Sequence, residues 1–216
     1  MKKTFYLLAL LSLTFCKAQT PVIDLYGTQD YGAVSNAYYK DVYGFLNQYV
    51  GTWLYTNGTT SLKITFIKKE QLFKDGFPRD YYEDMLVGEY QYIENGIEKV
   101  NTLNQINVDL GTDSKAMEQH NLGEICSIKF PTARPKCNEC SANERRLLMA
   151  LSDPNFPNIT GVANSFVIRR FQENGITKLK IWFYKEYQYS PEDENGNPIN
   201  FTNYTLPFGE YILIKQ

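Results

Sequence analysis

Three of the chain's Asn-Gly dipeptides constrain its fold most strongly: Asn57-Gly58, Asn95-Gly96 and Asn174-Gly175 each separate two runs that alternate apolar and polar residues. Asn-Gly tolerates the positive backbone φ that a two-residue turn demands, so the pair between alternating runs predicts a β-hairpin. The first joins Val50–Tyr55 to a run in which Leu62, Ile64 and Phe66 alternate with Lys63, Thr65 and Ile67. The second joins Met85–Glu94 to Ile97–Val108. The third joins Ser165–Gln172 to Ile176–Tyr187, where Leu179, Ile181 and Phe183 mark the inner face.

Further strands are expected over Leu122–Phe130 and Gly209–Lys215. Glu144–Leu151 suits helix or strand equally by pattern and is read as strand because its neighbours are strands. The resulting expectation is an all-β fold, an antiparallel meander of eight or nine strands forming a barrel or a strongly curved sheet. Each hairpin joins neighbours, so no long crossover of the Greek-key kind is needed. Residues 20–47 show no clean period and read as a lead-in lying over the core, with one short helix near Tyr38–Asn47. Aromatic residues make up 15%, with 17 tyrosines, which favours strands and half-wet surfaces.

The N-terminus predicts export. Lys2 and Lys3 precede an apolar run from Phe5 to Phe15, and Cys16 and Ala18 supply the small residues of a cleavage site, so the cut falls between Ala18 and Gln19. The run is too short for a span, which takes about 20 apolar residues, so no transmembrane segment is expected. The competing reading is a lipoprotein anchored through Cys16, against which Phe15 is too large for the position before a lipidated cysteine. The expected organisation is a signal peptide over 1–18, a lead-in over 19–47 and a single β-barrel-like domain over 48–216. Loss of residues 1–18 removes Lys2, Lys3 and Lys17, leaving 19 basic side chains against 24 acidic ones, which argues against nucleic acid as a partner. The expected location is secreted or periplasmic, with an outer-membrane lipoprotein as the alternative.

The cysteines after the leader are Cys126, Cys137 and Cys140. In an oxidising compartment they predict one disulfide and one free thiol, with a bridge from Cys126 to Cys137 or Cys140. A Cys137–Cys140 redox motif is the competing reading, but no βαβ pattern surrounds it. With His120, the chain's one histidine, these cysteines could be written as a zinc site, yet the spacing lacks paired knuckles and exported thiols oxidise, so no metal is assigned. Asp80, Glu83 and Asp84 could in principle act as paired carboxylates, but loop acids are usually only solvated. Asp193, Asn195 and Asn197 have the alternate spacing of a calcium loop, but Pro198 stands where glycine should follow and Tyr204 where glutamate should, so a turn is expected. Asn57, Asn158, Asn200 and Asn203 open Asn-x-Thr triplets, which matter only in a eukaryotic secretory pathway. Tyr81, Tyr82, Tyr90 and Tyr92 could line a carbohydrate or lipid pocket, or simply pack in strands. No ordered catalytic set is visible, so neither enzyme activity nor a cofactor is expected.

Gly51-Thr52-Trp53 resembles the opening of the calycins, the lipocalins and fatty-acid-binding proteins, where a Gly-x-Trp starts the barrel and its Trp plugs the closed end. That resemblance implies structural roles for Gly51 and Trp53. The whole chain also resembles a domain of unknown function found in small secreted or surface-attached proteins of Bacteroidetes. Cys16-Lys17-Ala18-Gln19, Gly51-Thr52-Trp53, the segment Leu86–Tyr92 and the closing Leu206–Tyr211 carry it. Two functions stay open: binding of a small apolar or amphipathic ligand, which predicts an open barrel, and a cell-envelope structural or interaction role with envelope proteins as partners, which predicts a filled core and an exposed aromatic patch.

Overall fold

The computed structural model describes residues 20–27, 31–76, 79–129, 132–156 and 159–216. The leader, Cys16, and the Ala18–Gln19 cleavage site lie outside the described residues, as does Asn158. The strands are β1 (Val22–Asp24), β2 (Tyr38–Lys40), β3 (Gly51–Asn57), β4 (Thr60–Lys74), β5 (Tyr81–Glu94), β6 (Ile97–Asn101), β7 (Leu122–Lys129), β8 (Arg146–Leu151), β9 (Thr160–Glu173), β10 (Ile176–Glu192) and β11 (Gly209–Lys215). They form one 11-stranded sheet, and no α-helix occurs among the described residues.

Eight of these strands close a ring in the order β5, β4, β3, β11, β10, β9, β8 and β7, sealed where Val87 pairs with Gly123 and Gly88 with Leu122. Ring neighbours follow chain order apart from β6, which pairs with the side of β5, so the meander read from the hairpins is present. Two of the three turns match the Asn-Gly reading residue for residue: Asn95 and Gly96 have φ of 51° and 80°, and Asn174 and Gly175 have 53° and 76°. The first is shifted by one. Asn57 already pairs with Thr60, so Gly58 (φ 59°) and Thr59 make the turn.

Three expectations need correction. Among the described residues the strand count is eleven because β2 adds in parallel to β5 and β1 in parallel to β2, both invisible to a hairpin argument, which makes the sheet mixed. The helix near Tyr38–Asn47 is instead β2 followed by a 3-10 turn at Leu46–Gln48. Asp41 starts that turn, its carboxylate accepting the N–H groups of Phe45 and Leu46 at 2.7 and 2.9 Å. The return strand Ile97–Val108 stops at Asn101 and becomes a 3-10 turn, Leu103–Asn107, that tucks Ile106 inside.

The ring interior is filled by its own side chains. Trp53, Leu62, Ile64, Phe66, Tyr90, Phe166, Ile168, Leu179, Ile181 and Leu213 are all completely buried in one cluster. At the start of β3, Trp53 donates from Nε1 to the Tyr49 carbonyl at 2.7 Å, and Leu46 and Tyr49 join the same cluster. β11 runs from Gly209, beside Phe183, to Lys215, beside Trp53. Phe201, Tyr204 and Phe208, which gather around Phe183, therefore lie at the opposite end from Trp53.

Candidate functional site

β5 is buried on both faces. Leu86, Tyr90 and Tyr92 point into the ring, while Met85, Val87 and Glu89 face outward by strand alternation. The chain between β6 and β7 covers that outer face. It is tied to β4 by Phe73 N–H on the Thr112 carbonyl (2.7 Å) and Ser114 N–H on the Phe73 carbonyl (2.8 Å), and a 3-10 turn at Ala116–Gln119 then seats Met117 against Leu72, Met85 and Val87.

Where this cover meets β7, His120 and Asn121 close over Glu89. His120 Nδ1 lies 2.8 Å from Glu89 Oε1, and Asn121 Nδ2 donates to Oε2 at 2.8 Å. All three residues are buried, His120 at 3% exposure and Glu89 at 0%. A carboxylate only accepts, so Nδ1 carries the hydrogen, and in the neutral ring Nε2 is then an acceptor. Among the described residues no hydrogen-bond partner reaches buried Nε2. Such an unmet polar atom costs about 1–3 kcal/mol, which a donor from outside would offset.

His120 borders a cleft of about 420 Å³ on the outer side of the β5–β7 seam. That is the low end of the roughly 300–1,000 Å³ usual for ligand pockets. Its apolar wall is Met85, Met117, Ala150 and the ring of Tyr81; its polar rim is Lys74, Glu83, Glu118 and Ser152. Gly123 forms part of the wall, and a Cβ built on it would meet nothing within 4 Å.

The family model of DUF6705, a family of unknown function, matches residues 1–216. The chain belongs to DUF6705. Neither the curated proteins nor the solved structures contain a match.

In this DUF6705 member, the sequence-predicted residues scatter. Gly51 takes a φ of 119°, open to glycine, and Trp53 is enclosed. The expected bridge from Cys126 is replaced by Cys137–Cys140, whose Cα atoms stand 5.5 Å apart, so neither loop cysteine is left for Cys126 or for a thiolate metal site. Among the described residues no group of three His, Cys, Asp or Glu could hold a metal ion. Nor is any described helix long and apolar enough to cross a membrane.

Glu83 and Asp84 are buried strand residues rather than solvated loop acids, and as neighbours on β5 they face opposite ways. Glu83 accepts from Tyr31. Asp84 takes the Tyr38 hydroxyl at 2.5 Å and Lys68 at 3.0 Å. Burial and that carboxylate push the Tyr38 phenol far above its ordinary range. Asp80 is exposed. Asp193 folds its loop as a turn, accepting the N–H groups of Asn195 and Asn197 at 2.9 Å, and those bonds hold its carboxyl below the usual range.

Of the four tyrosines, Tyr90 and Tyr92 pack inside the ring and Tyr82 lies edge-on to Phe73; only Tyr81 reaches the cleft. The cysteine loop covers the outside of β8–β10. Buried Arg146 donates to the carbonyls of Pro135 (2.6 Å) and Ala133 (3.1 Å), and burial lowers its pKa. Cys137 packs with Leu148, Val167 and Trp182. Sequence reasoning missed Glu89 and Asn121. The signal was present: Glu89 is a charge in the middle of a run, Met85–Tyr92, that is apolar at both kinds of position.

Proposed function

We propose that this protein is an exported, calycin-like β protein that binds a small amphipathic ligand, held in the lateral cleft beside His120 and not inside the ring. The observation that carries the reading is a buried histidine whose Nδ1 is committed to Glu89 and whose Nε2 has no partner, on the wall of a 420 Å³ cleft lined by methionine and tyrosine. Two methionines suit a ligand site because their unbranched side chains reshape easily around an apolar tail. The ring is filled, contrary to the open barrel expected of a ligand binder, so the ligand reading rests on the lateral cleft alone.

Gly123→Leu tests the reading. A Cβ there meets nothing within 4 Å and Gly123 lines the cleft, so the leucine should fill the cleft, and an apolar fluorescent probe should lose its site while the melting temperature holds. Unchanged probe binding would remove the cleft from consideration. Export is tested by intact mass: a chain starting at Gln19 supports it, and a diacylglyceryl-Cys16 terminus would replace secretion with anchoring.

A second reading, an envelope interaction protein, has its own support. The core is filled, and Tyr187 and Tyr189, 53% and 73% exposed, pair their rings 5.5 Å apart on β10. Replacing both with serine should release the protein from cell envelopes if that surface does the binding; undiminished retention would end this reading.

A further inference from the structure

We infer that the ligand's head is a hydrogen-bond donor carrying positive charge, a primary alkylamine in chemical class, and not the carboxylate of a fatty acid; the inference rests on the cleft reading above. Among the described residues the cleft's charged rim is weighted toward carboxylates: Glu83 on β5, 2% exposed and accepting from Tyr31, and Glu118 on the covering 3-10 turn, against Lys74. Behind the wall sits a further carboxylate, Glu89, held by the donors of His120 and Asn121. With its Nδ1 hydrogen committed to Glu89, the neutral His120 ring offers an acceptor at Nε2, which has no partner among the described residues.

An alkylcarboxylate would bring another anion among Glu83, Glu118 and Glu89 and would offer His120 no hydrogen. An ammonium brings three N–H donors and opposite charge to the same groups. An alcohol supplies one donor without charge and belongs between the two. Nε2 is buried, so the head reaches it only as wall side chains shift, a role suited to Met85 and Met117.

The experiment titrates the full folded chain with n-octylamine, 1-octanol and octanoate at matched ionic strength, by calorimetry, on wild type, Gly123→Leu and Glu118→Gln. Octylamine should bind at least about tenfold tighter than octanoate, with octanol between. Glu118 is exposed, so Glu118→Gln should keep the fold, weaken the amine about threefold or more and leave octanol unchanged. Octanoate binding as tightly as octylamine, or an amine indifferent to Glu118→Gln, overturns the amine class while leaving the cleft reading intact. If none of the three shows heat that Gly123→Leu abolishes, the cleft reading falls and the inference falls with it.

Discussion

The two faces of β5 are both out of water, yet they are buried by different means. Inward, Leu86, Tyr90 and Tyr92 meet side chains of the facing strands, and the space is full. Outward, Met85, Val87 and Glu89 are covered by a loop that carries its own polar group, His120, onto a carboxylate, and beside that contact the cover leaves a cleft. A ring closed by strands can be filled by alternation alone. A loop laid over a strand must satisfy its polar atoms locally, and it leaves gaps where it cannot interdigitate. The difference is the reason that the proposed ligand site is placed on the flank of the fold.

The sharpest way to break the contrast is Trp53→Ala. Trp53 is enclosed at the start of β3, its Nε1 bonded to Tyr49, so truncation should cost about 3–5 kcal/mol and the protein should melt far lower or fail to accumulate. Melting within a few degrees of wild type would sink the idea that the inner packing dominates stability. Trp182 is the outward counterpart. Strand alternation sets it opposite Ile181 and Phe183, and the cysteine loop covers it to 7% exposure. Trp182→Ala should therefore cost about 2 kcal/mol, less than an enclosed core aromatic but well above a surface change. Denaturant midpoints of the two variants, compared at equal slope, decide the order.

Glu89→Gln probes the polar side of the same strand. The amide keeps the shape but loses the charge that two donors address, so a loss of about 1.5–3 kcal/mol is expected. The nitrogen chemical shifts of His120 should also move, because the Nδ1 hydrogen no longer faces a carboxylate. If both stability and tautomer stay as in wild type, the Glu89 contact does not orient the ring.

Much of the inner face was legible in the sequence and little of the outer. Leu62, Ile64 and Phe66, or Leu179, Ile181 and Phe183, announce their face through period-two alternation, and Asn95-Gly96 sets a turn from two residues. Nothing local announces β1 and β2, three residues each: β2 forms on the edge of β5, and β1 on the edge of β2. Glu89 and His120 are 31 positions apart and meet through the fold of the 102–121 cover, whose 3-10 turns follow no hydrophobic period. The cysteines show the same limit from the other side. A bridge from strand to loop and one within the loop are both allowed by spacing; the one formed joins Cys140 to Cys137, which packs on Leu148, Val167 and Trp182.

The smallest expected effect is also the finest test, because it sets two glycines of the same seam against each other. Gly88 pairs with Leu122 and Gly123 with Val87, so they stand side by side where the ring closes. Gly88 looks inward, where an added Cβ would lie 2.6 Å from the Phe66 ring; that ring is fully buried and has nowhere to go, so Gly88→Ala should cost about 1–3 kcal/mol by overpacking. Gly123 looks outward, where the same methyl meets nothing within 4 Å. Its backbone φ does not require glycine, so Gly123→Ala should be neutral or stabilising by about 0.4–1 kcal/mol, through the freedom that the unfolded chain loses. Thermal melts of the pair read the difference directly. Equal losses at both positions would mean that the outer flank is as tightly packed as the ring, and the cleft beside His120 would then be closed to any ligand.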